Sequence, residues 1–274
     1  MVRSNFEKLI NFEKGTYESK GVIESTFKRN FSSLLFYPPL IKIIFRCSKL
    51  AKEGKFDEKS FYNESFEVFK LLERVGVRFK IEGINYVERC DTPAVFVGNH
   101  MSTLETFILP LILIPFTSIS FVVKKSLVEY PIFGHIMRAV EPITVSRTNP
   151  RDDLKTVIEE GCKKISQGRS IIVFPQTTRK VDFIEAEFNS IGIKLAKRAN
   201  VPVILAKRAN VPVIPFALKT DAWQNGKWIK DFGPIDITKK VYFSFGEPIF
   251  IESRGDREHK LVIDFISEKI KQFI

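Results

Sequence analysis

Short apolar runs recur along this chain with room for one helix between most neighbours, and that alternation limits its fold more than any other feature. Val77-Arg-Phe-Lys-Ile81 alternates with period two. Ala94-Val-Phe-Val97, Ile119–Val123, Pro142–Val145, Ser170-Ile-Ile-Val-Phe174, Val211–Leu218 and Val241–Phe245 are short, apolar and rich in branched residues. Such runs read as strands. Residues 59–75 read as a helix with its apolar positions spaced among charges. Another begins near Pro150 with acids in its first turn and ends at Gly168; Asn189–Asn200 and Asp256–Phe273 are two more. Strands alternating with helices predict an α/β fold with a largely parallel central sheet flanked by helices. Residues 1–25 carry no clear period and are expected to be mobile or loosely helical.

One apolar segment requires a membrane test. Phe107–Phe116 has ten residues, which span ~15 Å as a helix against a hydrocarbon core of ~30 Å. With Pro110 and Pro115 inside it and Glu105 beside it, it reads as a buried core helix. Residues 1–20 are polar and charged, without the pattern of a signal peptide. Three isolated cysteines form no CxxC pair and have no ligand-like spacing to the three histidines, which argues against a structural zinc site and for a reducing compartment.

The net charge of +11 is unevenly placed, with ten Lys/Arg against four Glu in residues 1–52 and no acid from Thr26 to Lys52. On a helix starting near Pro38-Pro39, Lys42, Arg46 and Lys49 line one face and Leu40, Ile44, Cys47 and Ala51 the opposite one. A basic amphipathic helix suits an anionic membrane surface, each basic residue contributing ~1 kcal/mol. It equally suits a helix packed on its own domain with a solvated basic face. Nucleic acid is not an expected partner, because no recognised binding motif accompanies the charge. The expected division is a basic, mostly helical, membrane-associating segment over 1–75 and a catalytic domain over 76–274.

Asn99-His-Met-Ser-Thr-Leu-Glu105 comes directly after a buried strand. A histidine, with an unperturbed pKa of about 6.5, can take a proton near neutral pH, and a carboxylate on its other nitrogen fixes the tautomer and stabilises the imidazolium. On one continuous helix the two side chains, five residues apart, would point about 140° apart. They meet only if His100 lies on the loop and Glu105 in the first turn of the next helix. Ser102-Thr-Leu-Glu105 reads as a capping box there, so Glu105 has a purely structural role open to it as well. Two arginines also lie just past apolar strands, Arg147 after Pro142–Val145 and Arg179 after Ile171–Phe174. The carboxyl ends of parallel strands form a binding edge, and guanidinium groups suit phosphate.

Taken in order, these segments resemble the glycerolipid acyltransferase family of 1-acylglycerol-3-phosphate acyltransferases. The family's Asn-His-x4-acid motif matches Asn99, His100 and Glu105, with Glu for the commoner Asp. Its second block matches Lys124-Lys125, Pro131-Ile-Phe-Gly134 and Arg147, with Ser146 where Asp is usual. Its Phe-Pro-Glu-Gly-Thr-Arg motif appears as Phe174-Pro175-Gln176-Thr177-Thr178-Arg179, and its Val-Pro-x-x-Pro motif as Val211-Pro212-Val-Ile-Pro215. The resemblance implies transfer of an acyl group from acyl-CoA or acyl-carrier protein, as co-substrate, to a lysophospholipid hydroxyl. In that reading His100 is the base and Glu105 its partner, and no metal or other cofactor is needed. Arg179, with Thr178 and Arg147, would hold the acceptor phosphate; Gln176 and Thr177 would line its site, and Lys124 and Lys125 would meet other phosphates. Asn99, Pro175, Pro212 and Pro215 are structural positions of the motifs. The expected location is the cytoplasmic face of a membrane, as a peripheral or monotopic protein. The changes at Gln176 and Thr177 also motivate the alternative of an inactive, membrane-bound lipid-binding protein of the same fold.

Leu195-Ala-Lys-Arg-Ala-Asn-Val-Pro-Val-Ile204 recurs without change as residues 205–214. The first half of the unit has helix character and the second half strand character. Upstream context therefore continues into the first copy, and downstream context from the second. Residues 201–210 are the expected surplus.

Overall fold

The structure is a computed structural model describing residues 3, 6–21, 26–176, 178–200, 211–227 and 229–273. In chain order the elements are β1 (Tyr17–Glu18), α1 (Thr26–Lys52), α2 (Glu58–Val75), β2 (Arg78–Glu82), α3 (Ile84–Glu88), β3 (Val95–Gly98), α4 (Leu104–Leu113) and β4 (Ser118–Lys124). They continue with α5 (Phe133–Ala139), β5 (Ile143–Val145), α6 (Pro150–Ser166), β6 (Arg169–Val173), α7 (Ile191–Ala199), β7 (Val213–Lys219), β8 (Lys240–Phe245) and α8 (Asp256–Gln272).

All eight strands form one sheet in the order β1-β2-β8-β7-β3-β6-β4-β5. Its centre, from β7 through β3, β6 and β4 to β5, is parallel as expected. The sheet as a whole is mixed, because β8 runs antiparallel to β7 and β1 antiparallel to β2. Side chains alternate across it. Phe96, Ile172, Ile214 and Phe216 point into the core shared with α1, α2 and α4. Val95, Val97, Ile171, Val173 and Val213 point into the core shared with α6, α7 and α8.

Local signals explain several helix ends. Asp57 caps α2 by accepting from the Ser60 N–H at 2.7 Å, and Gly76, at φ 114°, ends it in the left-handed conformation that glycine adopts without strain. Asn149 caps α6, with Pro150 at the first turn and Asp152 and Asp153 facing the helix's positive end. The apolar stretch is the buried core helix α4, with Pro110 inside it. Among the described residues, no helix is long and apolar enough to cross a membrane.

Two expectations are corrected. The basic helix begins at Thr26 and carries Pro38 and Pro39 inside it. A proline lacks the N–H that a helix interior uses, which normally marks a start; here buried packing of Phe36 and Leu40 on either side outweighs the loss. Residues 1–25 also include described, fixed structure. Tyr17 and Glu18 pair with Ile81 and Lys80, and Ser19 Oγ and the Tyr17 hydroxyl both donate to Glu73 Oε1, at 2.5 and 2.7 Å. A two-residue strand is too short to show a period.

The face of α1 holding Leu40 and Cys47 is buried, with Ile44 and Ala51 half-buried. Its outer face mixes exposed Lys42 and Lys49 with exposed Phe31, Leu34, Leu35, Ile41 and Phe45, while Arg46 pairs with Glu64 of α2. At the repeat, α7 ends on Asn200. The Asn200 side chain accepts from the Val211 N–H at 2.6 Å and donates to the Val211 carbonyl at 3.3 Å. The first copy thus supplies the helix end and the second the strand start. Residues 201–210, the expected surplus, lie outside the described residues.

Candidate active site

Three parallel strands end at one edge of the sheet, and the loops leaving their carboxyl ends build the site. Asn99 and His100 come after β3, Phe174 to Arg179 after β6, and Thr220 after β7. Asn99 is buried, donates to the Leu218 carbonyl at 2.9 Å and accepts from the Leu218 N–H at 2.8 Å, which clamps β3 to β7. A Cβ on Gly98 would lie 2.2 Å from the Phe216 ring, so this close approach requires glycine.

His100 Nδ1 lies 2.9 Å from Glu105 Oε1. The imidazole stacks on Phe174 with ring centroids 4.3 Å apart, and the His100 backbone N–H donates to Gln176 Oε1 at 2.8 Å. With a carboxylate at Nδ1, that nitrogen carries the proton and Nε2 is left to accept another. The His100 side chain keeps 15% exposure while Glu105 has none.

Glu105 is saturated with donors. Oε1 accepts from the N–H groups of Met101 at 2.6 Å and Ser102 at 2.8 Å; Oε2 accepts from the Ser102 hydroxyl at 2.9 Å and the Thr220 hydroxyl at 2.7 Å. Burial pushes its pKa up, but the hydrogen bond and charge of His100, then Thr220 and the Ser102 N–H, outweigh burial and hold it below the usual carboxylate value. The carboxylate is therefore charged at neutral pH. The capping box is half formed: the Ser102 N–H reaches Glu105, but the Ser102 hydroxyl turns to the carboxylate and accepts from the Leu104 N–H. The helix cap and the carboxylate that meets His100 are thus the same group.

The arginines approach from the neighbouring loops. Arg179 Nη1 donates to Asp231 Oδ1 at 2.7 Å and to the Thr103 hydroxyl, and that hydroxyl donates to Asp231 Oδ1 at 3.0 Å. The next residue, Lys180, donates its N–H to the His100 carbonyl at 3.0 Å, which ties the arginine loop to the histidine loop. Arg147 has a left-handed φ of 62°, held by its N–H donating to Asp153 Oδ2 at 2.7 Å. Desolvation of its guanidinium lowers the Arg147 pKa; Asp153 opposes this and the charge of Arg179 adds to it.

The other expected residues divide by role. Gln176 is buried and positions His100, while Thr178 is half-buried beside Arg179. Thr177 lies outside the described residues. Lys124 ends β4 and Lys125 opens the turn after it; both are exposed at the same sheet edge, without a hydrogen bond to His100 or Arg179. Pro175, Pro212 and Pro215 are structural: their carbonyls accept from Asn189 Nδ2, the Val95 N–H and the Gly246 N–H. Sequence reasoning does not reach Thr220 or Asp231. Thr220 carries a usable signal, since it lies just past a strand ending at the binding edge; Asp231, in the loop after it, carries none. A cleft of about 530 Å³ lined by Tyr86, Arg89, Cys90 and Phe250 opens at the opposite end of β3, away from His100. Among the described residues, no group of three or more His, Cys, Asp or Glu is placed to hold a metal ion.

Known proteins resemble this chain in sequence and in fold. The Acyltransferase family model matches residues 78–219. A 1-acyl-sn-glycerol-3-phosphate acyltransferase of Pseudomonas aeruginosa is 27% identical over 183 residues, covering 66% of this chain and 63% of the relative. A chloroplastic 1-acyl-sn-glycerol-3-phosphate acyltransferase of Arabidopsis thaliana is 31% identical over 152 residues, covering 52% of this chain and 41% of the relative. The chain thus spans less than two thirds of the length of either relative. The crystal structure of the 1-acyl-sn-glycerophosphate acyltransferase PlsC from Thermotoga maritima superposes with a TM-score of 0.64 at 20% identity, over 90% of this chain and 96% of that one, which establishes a shared fold.

Proposed function

The chain belongs to the Acyltransferase family, and on that premise we propose that it transfers a fatty acyl group from a thioester to the hydroxyl of a 1-acylglycerol-3-phosphate-like lysophospholipid. The observation carrying this reading is the contact between His100 Nδ1 and a fully buried, donor-saturated Glu105, with Arg179 tied to the same loop. His100 Nε2 takes the acceptor hydroxyl proton as the oxygen attacks the thioester carbonyl. Glu105 stabilises the imidazolium formed. Collapse of the tetrahedral intermediate breaks the carbon–sulfur bond, and the departing thiolate takes the proton back. A thioester is already activated, so neither a covalent acyl-enzyme nor a metal is required. Arg179 holds the acceptor phosphate, and the donor is acyl-CoA or acyl-carrier protein.

The reaction is assigned to a membrane surface, on the cytoplasmic side, with residues 1–75 as the associating segment and 76–274 as the catalytic part. The support is the outer face of α1. Leu34 at 67% and Phe45 at 55% exposure share the helix with exposed Lys42 and Lys49, and exposed Phe232 packs on Tyr37 of the same helix. Exposed apolar residues interspersed with lysines suit an anionic bilayer. The test is purified protein on lipid vesicles with a lysolipid panel and both donor types, read by lipid mass spectrometry. The expected result is acyl transfer that His100→Ala abolishes and that Arg179→Ala weakens through a raised acceptor KM. Absence of transfer from every donor would overturn the assignment in favour of a lipid-binding protein.

A further inference from the structure

Arg179, the acceptor-binding arginine in the reading above, already has an acidic neighbour. Asp231 Oδ1 sits 2.7 Å from its Nη1 and accepts from the Thr103 hydroxyl at 3.0 Å. This acid is fixed by its backbone as well. The Asp231 carbonyl accepts from Trp223 Nε1 at 3.1 Å, and Trp223 is among the largest fully buried side chains. The neighbouring Phe232 packs on Tyr37 of α1 at 5.4 Å between centroids, and the Tyr37 hydroxyl donates to the Gly233 carbonyl. The Asp231 carbonyl and the two residues after it are thus anchored, which holds the backbone that presents the carboxylate to the guanidinium.

We propose that Asp231 is a specificity-determining residue that sets the net charge of the acceptor seat, so that lysolipids with a singly charged phosphodiester compete with those carrying a doubly charged phosphomonoester. This rests on the assignment of Arg179 to the acceptor phosphate. Arg179 brings one positive charge to the seat and Asp231 offsets it. A fixed negative charge repels a ligand in proportion to the ligand's own charge. A phosphomonoester carries about −1.5 to −2 at pH 7, a diester −1, so Asp231 penalises the monoester more. An acid that simply swung away on binding would weaken all acceptors by one common factor and leave their ratio unchanged.

The test compares lysophosphatidate with lysophosphatidylglycerol of the same acyl chain, in mixed micelles, for wild type, Asp231→Asn and Asp231→Glu. The preference for the monoester should rise about two- to five-fold in Asp231→Asn, the range of one partly exposed charge pair, with the change in KM more than in kcat. Asp231→Glu keeps the charge and should keep the wild-type ratio. An unchanged or falling ratio in a folded Asp231→Asn protein would overturn the proposal, the unchanged case marking the pair as structural or displaced. If wild type transfers no acyl group to either lipid, the functional reading fails separately. Titration with inorganic phosphate at pH 8 then decides: Asp231→Asn should bind about two- to five-fold tighter, and equal affinity would refute the role of Asp231.

Discussion

Replacing Glu105 by glutamine removes one charge from the centre of the site while keeping nearly the same shape. The side-chain oxygen that remains can still accept from His100 Nδ1 and from the Met101 and Ser102 N–H groups. The new amide N–H group meets the Ser102 and Thr220 hydroxyls, which can rotate to accept it. Folding should therefore survive, with loss concentrated where charge develops. Opposite unit charges about 4 Å apart at an effective dielectric near 20 attract by about 4 kcal/mol. Taking that attraction away from the imidazolium predicts a fall in kcat of roughly 10³-fold. The acceptor KM should change little, since Arg179 is untouched. The assay is steady-state acyl transfer beside a thermal melt. A folded Glu105→Gln protein keeping a tenth or more of wild-type kcat would refute the argument that the buried carboxylate stabilises charged His100. The same substitution has a pH signature. The folded-state pKa of Glu105 lies below its ordinary 4.5, so its contribution to stability is present above pH 4.5 and is lost as pH falls through the folded-state value. Glu105→Gln should flatten that part of the acid limb, whereas wild type should lose stability there.

Two other perturbations address the parts outside the chemistry. Deleting Leu205–Ile214 gives the same chain as deleting residues 201–210, because the two copies are identical, and it should leave the protein folded and its transfer rate within about two-fold, since Asn200 and Val211 already lie within hydrogen-bond reach and loop length enters stability only logarithmically; a folded but inactive deletion would show that the extra ten residues are needed. Changing Leu34 and Phe45 together to Glu should weaken binding to anionic vesicles by at least about ten-fold in a flotation assay, since burying each apolar side chain is worth about 1.5–3 kcal/mol, with the melting temperature unmoved because both are exposed.

The His100–Glu105 contact was legible because both partners lie in one seven-residue stretch whose loop-then-helix layout leaves few ways for them to meet. The arginines were legible as strand-end residues, and the parallel centre of the sheet was legible in strands too apolar to face water. The antiparallel β8 was not, because a strand's direction depends on which neighbour it reaches and its own composition is silent on that. The start of α1 depends on similar distant contacts: Pro38-Pro39 is a strong local start signal, overridden because Phe36 packs on Trp223 and the Ser32 hydroxyl donates to the Ile235 carbonyl, far along the chain.

Thr220 and Asp231 mark the boundary most clearly. By itself the chain determined the periodicities, the helix caps and the local pairing of His100 with Glu105, since those depend on steric and hydrogen-bonding preferences within a few residues. Only the tertiary structure decided that Thr220 would donate to Glu105 and that Asp231 would sit against Arg179. Those contacts join residues separated by 115 and 52 positions, and they exist because parallel crossovers bring the ends of β3, β6 and β7 to one edge, where burial makes each unpaired polar group costly and so selects its partner.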